Sequence, residues 1–343
     1  MEEGKKPISR ALLSWFLRAL GPLLLAWILW ENRGQLGIAW SALRSIRWPP
    51  LALSFLLVFP FVLLKGLRWQ LILDDLGEHV PWRRLTFYYA LGIFLGAATP
   101  GQAGDFLKAW YLKEDGHDLG AALLSTVVDR LFDMGIMGIL ALSGLYALWR
   151  IFPRTGTVLV LAGMLLGIVL VLSLLLSRRL RQWWADRVFR YLVPAGVRRY
   201  LQQKEARAYL DRFFLSPRNV LLGGGISLLS FATTFFRLWL LIPALGKSLP
   251  LAIFVPTIAL VALGSLLSVA GLGTRELILL TILSAPELGW SAGEILSYSA
   301  LILCVGLENL VLGLPLYLLR PLGARGTKGI SRNNRSGELP FSP

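Results

Sequence analysis

Several stretches of this chain run for roughly 20 residues with almost no charge, the length a helix needs to cross about 30 Å of hydrocarbon. In hydrocarbon each backbone N–H and C=O must find its partner inside the protein, which leaves helices and closed barrels as the only spanning structures. The runs are continuous, not alternating, so a β-barrel is excluded. Composition agrees: 55% of the 343 residues are hydrophobic and 16% are charged, against about a quarter charged in soluble domains. The expectation is an all-α polytopic membrane protein.

The net charge of +15 would suggest nucleic acid in a soluble chain. In a membrane chain, basic residues gather on cytoplasmic loops and meet anionic headgroups, so no nucleic-acid partner is expected. Cys304 stands alone inside an apolar run, which rules out an intramolecular disulfide. His79 and His117 lie in short loops, and thiols, imidazoles and carboxylates do not cluster; no metal or cofactor is expected. The first apolar stretch, ALLSWFLRALGPLLLAWILW after KKPISR, lacks a small-residue cleavage pattern and is too long for a signal peptide, so it reads as a membrane helix.

Full spans are expected at 12–30, 50–72, 120–149, 156–177, 219–242 and 293–319. Two shorter apolar pieces, 85–98 and 250–268, each lead through a glycine-bearing polar break into a second piece, 101–113 and 272–285. Charge orients the set. Segment 178–218 carries eleven Arg or Lys against Asp186, Glu205 and Asp211, and the tail after Leu319 carries five against Glu338. With Lys5, Lys6 and Arg10 at the N-terminus, all three regions are expected on the cytoplasmic side. Threading agrees with this only if 85–113 and 250–285 each enter and leave on one face. That predicts six full spans plus two re-entrant helical hairpins, the first open to the cytoplasm and the second to the outside. The expected organisation is a short cytoplasmic N-terminus (1–11), one membrane domain (12–319) and a disordered basic cytoplasmic tail (320–343). Segment 178–218 mixes Arg with Trp, Phe, Tyr and Leu at helical spacing. It reads either as basic amphipathic helices on the headgroup plane or as an ordinary positive-inside loop.

Three polar constellations fall at membrane depth, where ionisable groups are costly and face an interior or a pathway. In TPGQAGDFLKAWYL (99–112), Pro100 and Gly101 can stop the incoming helix and Gly104 permits close backbone approach. A half-helix from about 102 would carry Asp105 and Lys108 on one face, and its N-terminus would favour an anion such as a phosphate. A loop outside the bilayer is the competing reading. In VVDRLFDMG (127–135), Asp129 lies about 15 Å inside its helix. Asp129 and Asp133 share a face, with Arg130 about a quarter-turn away. In SVAGLGTRELILL (268–280), Gly271 and Gly273 break the chain before Arg275 and Glu276, and Glu308 in the last span is the expected partner of Arg275. For the last two groups, ligand contact and structural ion pairing are both open. Both breaks follow one order: apolar lead-in, glycine turn, charged half-helix, then a span with a central acid. That order fits an inverted repeat with broken helices meeting near the midplane.

At these residues the chain resembles the lysylphosphatidylglycerol synthase transmembrane-region family, the flippase-like membrane proteins. The resemblance rests on Arg68-Trp69, on Pro100-Gly101…Gly104-Asp105…Lys108, on Asp129-Arg130…Asp133 and on Gly271-x-Gly273-x-Arg275-Glu276, and spans about 10–320. Asp105 stands where the family often has Glu, and Ala270 where it often has glycine. The resemblance implies a multi-pass inner-membrane protein that moves an aminoacyl-phosphatidylglycerol-like, other anionic or isoprenoid lipid between leaflets. The 24 residues after 319 are too few for an aminoacyltransferase domain, so no lysyltransferase chemistry is expected. Substrate binding or gating is assigned to Asp105, Lys108, Asp129, Arg130, Asp133, Arg275, Glu276 and Glu308. Membrane phospholipid is the expected partner, with a lipid-synthesising enzyme or a second copy as further possibilities. The competing classes are an accessory subunit and a lipid-modifying enzyme using Asp129, Asp133 or Glu308 as acid or base. An ion or solute carrier is a weaker competitor. The sequence offers no nucleophile–base pair and no nucleotide loop for an enzyme.

Overall fold

The computed structural model describes residues 22–97, 100–147, 215–265 and 271–321. The expected span 156–177, the basic segment up to 214 and the tail beyond 321 lie outside them. Every regular element among the described residues is helical. In order these are α1 (Pro22–Glu31), α2 (Leu36–Arg44), α3 (Trp48–Leu56), α4 (Val58–Asp75), α5 (Trp82–Ala97), a 3-10 helix (Pro100–Leu107), α6 (Lys108–Glu114), α7 (Leu119–Ala147), α8 (Pro217–Ala244), α9 (Leu251–Gly264), α10 (Thr274–Leu283) and α11 (Ala292–Leu319). Three stretches among them are long and apolar enough to cross a membrane: Trp48–Asp75, Pro217–Ala244 and Ala292–Leu319. They coincide with the spans expected at 50–72, 219–242 and 293–319. Helix α7 is 29 residues long but carries Asp129, Arg130 and Asp133.

The same corner is built twice. Helix α4 ends in Leu76-Gly77-x-x-Val80-Pro81, and 169 residues later α8 ends in Leu245-Gly246-x-x-Leu249-Pro250. Gly77 and Gly246 have φ of 80° and 70°, the left-handed conformation that lets a helix end turn its last N–H groups back onto its own carbonyls. The bonds match one for one: Glu78 and Lys247 donate to Leu73 and Ile242 (3.0 and 3.1 Å), and Gly77 and Gly246 to Asp74 and Pro243 (3.1 and 3.0 Å). Val80 and Leu249 are buried at the corner, and Pro81 and Pro250 start the next helix, where a missing N–H costs nothing. Each corner is then tied to the start of the last helix of its group, by Glu78 to His117 just before α7 at 2.7 Å and by Lys247 to Glu294 in the first turn of α11 at 2.8 Å.

Packing repeats as well. One core cluster is made by α4 to α7 around Trp69, Leu85, Tyr88 and Tyr111, and a larger one mainly by α8 to α11 around Leu241, Phe254, Leu279 and Tyr298. Between the groups, α4 packs on α8, α5 on α11 and α7 on α9. Small residues set these approaches. A Cβ at Gly66 of α4 would collide with Thr86 of α5, and one at Gly313 of α11 with Phe94 of α5.

Candidate functional site

Helix α5 stops before a break, and the chain resumes as an eight-residue 3-10 helix before α6 begins at Lys108. A 3-10 run of that length is uncommon, because its hydrogen bonds are poorer than those of an α-helix. Here it packs back along α5. The packing depends on Gly104, where a Cβ would overlap the Leu95 carbonyl. The expected α-helical turn from 102 is therefore a 3-10 turn, but Asp105 and Lys108 do share a face. Pro100 and Gly101 supply backbone to its start.

Seven charged side chains from four elements meet at this break. Lys108 Nζ lies 3.0 Å from Asp105 Oδ2 and 3.0 Å from Asp129 Oδ2, over the Tyr89 ring at 3.9 Å and the Trp69 ring at 5.0 Å. Arg68 Nε donates to Asp129 at 2.8 Å, and Nη1 donates to Asp133 at 2.6 Å and Ser227 at 2.8 Å. Lys65 pairs with Asp133 and faces the Phe61 and Phe231 rings. Arg130 Nη2 meets Asp105 at 2.8 Å, and Tyr89 donates to Asp129 at 2.8 Å. Arg68, Asp105, Lys108 and Asp129 are wholly buried, whereas the Arg130 and Asp133 side chains are 28% and 16% exposed. The cluster thus has a sealed ionic centre and a rim carrying one guanidinium and one carboxylate. An unpaired buried charge is strongly destabilising, so this interlocking arrangement is what allows six of the seven groups to sit below 20% exposure.

The second break is more self-contained. Gly271 and Gly273 have φ of 73° and 79°, and Gly273 caps α10. Glu276 accepts from Gly273 N at 2.7 Å, from Arg275 Nη2 at 2.6 Å and from Ser299 Oγ at 2.5 Å. The chain's own carboxylate thus occupies the α10 N-terminus. The expected Arg275–Glu308 pair is not formed. Glu308 of α11 pairs with Arg237 of α8, whose Nε donates to the Ser54 carbonyl at 2.9 Å. Arg275 instead turns onto its neighbour Glu276 and onto Ser299 at 2.7 Å. The sequence argument missed Lys65, Tyr89 and Arg237. The signal for Arg237 was the repeated corner: Arg68 and Arg237 both stand eight residues before its leucine, Leu76 or Leu245.

These residues hold no metal-ligating group of three or more among the described residues. Paired acids, guanidiniums and ammoniums at the first break form one interlocked ionic network.

Residues 13–312 match the family described as the lysylphosphatidylglycerol synthase TM region. The chain is 28% identical over 269 residues to a UPF0104 membrane protein of Methanothermobacter thermautotrophicus, covering 70% of this chain and 74% of that relative. A second UPF0104 membrane protein of the same organism is 28% identical over 152 residues, 43% of this chain and 42% of that one. No solved structure matches. The family match extends over most of the chain and includes both breaks, so this membrane protein belongs to the lysylphosphatidylglycerol synthase TM-region family.

Proposed function

We propose that the protein translocates an anionic phospholipid, of the aminoacyl-phosphatidylglycerol or isoprenoid kind, between leaflets of the cell membrane. Six full spans and two re-entrant hairpins, with both termini cytoplasmic, form the frame of this reading. The inverted-repeat part is supported by the duplicated corner. It is also supported by the pairing of α5 with α11 and of α9 with α7, the exchange a two-fold relation between the groups requires.

The observation that carries the proposal is the charged cluster around the first break, sealed at Lys108 and Arg68 and opening at Arg130 and Asp133. Acyl chains remain in the bilayer during transfer, so only the headgroup needs a polar path. Arg130 receives the phosphate, and the acids behind it receive an ammonium where the headgroup carries one. Glu308 with Arg237 and Glu276 with Arg275 form the corresponding gate on the other side.

The test uses purified protein in liposomes with a fluorescent phosphatidylglycerol analogue and a membrane-impermeant quencher. Arg130→Gln should slow transfer about ten-fold or more, the loss of one charge-assisted hydrogen bond, while the protein remains monodisperse. Transfer at the wild-type rate in Arg130→Gln, and likewise in Glu308→Gln, overturns this path for the headgroup.

A further inference from the structure

Helix α2 links two apolar helices, α1 and α3, and is fastened to the ends of two more. Arg47 N, just beyond α2, donates to the carbonyl of Ala244, the last residue of α8, at 2.8 Å. Ser297 in the second turn of α11 donates to the Ala39 carbonyl at 3.0 Å. A Cβ at Gly293 in the first turn would stand 2.6 Å from the Gln35 carbonyl, so α2 lies directly on the α11 backbone. One short helix thus touches the level at which α1 and α8 end and α3 and α11 begin. For helices of spanning length that level is the boundary between hydrocarbon and headgroups.

The faces of α2 are sorted accordingly. Leu43, with Ile46 just past the helix, packs on the larger core cluster, and Ala39 sits on α11. Leu36, Trp40 and Arg44 follow one another at four-residue steps along the stripe beside it, where all three are exposed. Arg44 stacks on Trp40 with its guanidinium carbon 5.0 Å from the ring centre. Arg33 repeats the arrangement on Trp30 at 4.8 Å. Trp30, Trp40 and Trp48 are 68%, 58% and 72% exposed, at one end of the helical bundle. Tryptophan belongs at headgroup level, with an apolar ring and one polar edge. From 31 to 48 the chain carries Arg33, Arg44 and Arg47 against the single acid Glu31.

We infer that α2 lies in the headgroup layer, and that its Leu36–Trp40–Arg44 face, together with the Trp30–Arg33 pair, binds phosphates of anionic phospholipids there. The stacked indoles hold the guanidiniums level with the phosphates, and Leu36 reaches the first acyl carbons. This docking requires lipid headgroups but no lipid transfer, so it stands or falls independently of translocase activity.

Two measurements on the full chain test it. First, a nitroxide is placed at Trp40→Cys in a Cys304→Ser background and the protein is reconstituted in phosphatidylglycerol–phosphatidylcholine nanodiscs. Collision with oxygen should exceed collision with an aqueous nickel chelate, and the reverse should hold for a nitroxide at Glu287→Cys in the exposed α10–α11 connection. Nickel accessibility at 40 equal to that at 287 overturns the interfacial placement. Second, native mass spectrometry counts lipids retained from mixed micelles. Arg33→Gln with Arg44→Gln should lower phosphatidylglycerol affinity about five-fold per arginine and leave phosphatidylcholine unchanged. Unchanged phosphatidylglycerol retention, or an equal loss of both lipids, overturns the phosphate assignment.

Discussion

Arg68 and Asp129 form a buried ion pair between α4 and α7, Nη2 to Oδ1 at 2.6 Å, with neither side chain exposed. The pair is the hinge-pin of the first helix group, because Arg68 also holds Asp133 and Asp129 also holds Lys108. Arg68→Ala takes the guanidinium away from two carboxylates at once, leaving Asp129 to Lys108 and Asp133 to Lys65. Breaking such a pair costs about 3–5 kcal/mol, so the thermal transition of the purified protein should fall sharply. Arg68→Met with Asp129→Leu should recover part of that loss, because the double change removes both charges. A double variant no more stable than Arg68→Ala would show that Asp133 and Lys108 dominate the network.

Glu308 answers Arg237 and not Arg275. Arg237→Met should therefore destabilise the protein, and the further change Glu308→Leu should restore stability by at least 1 kcal/mol, within the range of about 0.5–3 kcal/mol seen for coupled neighbours. Arg275→Met combined with Glu308→Leu should instead be additive. The measurement is a pair of double-mutant cycles by chemical or thermal unfolding in detergent.

Gly104 and Gly224 are contrasting glycines. A Cβ at 104 overlaps the Leu95 carbonyl, whereas one at 224 meets nothing within 4 Å. Gly104→Ala should separate the 3-10 helix from α5 and cost at least the roughly 1–3 kcal/mol typical of overpacking. Gly224→Ala, inside α8, should be stabilising by about 0.5–1 kcal/mol. Limited proteolysis around 98–108, compared between the two variants, reads the difference.

The end of α11 is latched to the first helix group. Arg320 Nη2 meets Asp115 at 2.6 Å and its guanidinium lies 4.8 Å from the Tyr88 ring centre, while Tyr88 donates to Asp115. Tyr111 donates to the Arg320 carbonyl at 3.3 Å. Arg320→Ala should raise amide exchange across 108–118 and 314–320 together and leave 251–264 unchanged. A change confined to 314–320 would mean the contact does not hold α6.

How much was legible beforehand varies with the physics involved. The positions of α3–α4, α8 and α11 follow from run length, because hydrocarbon forces any long apolar stretch into a helix. The breaks at 100–104 and 271–273 were legible because proline, glycine and charge together cannot continue such a helix. The 3-10 form of 100–107 was not, since it arises from packing against the Leu95 carbonyl. Lys65 also escaped notice: a single lysine in mid-helix does not show which acid answers it until α7 places Asp133 beside it.

The sequence by itself determined a helical membrane protein, where its helices break, and which ionisable residues interrupt its apolar stretches. These are local consequences of solvent and backbone chemistry. Only the tertiary structure decided who pairs with whom. It joined Asp129 to Arg68 and Lys108, and Asp105 to Arg130. It gave Glu308 to Arg237, and Glu276 to Arg275 and the α10 N-terminus. In a medium without water, every charge takes the partner that packing brings within about 3 Å. Spacing along the chain does not encode that choice.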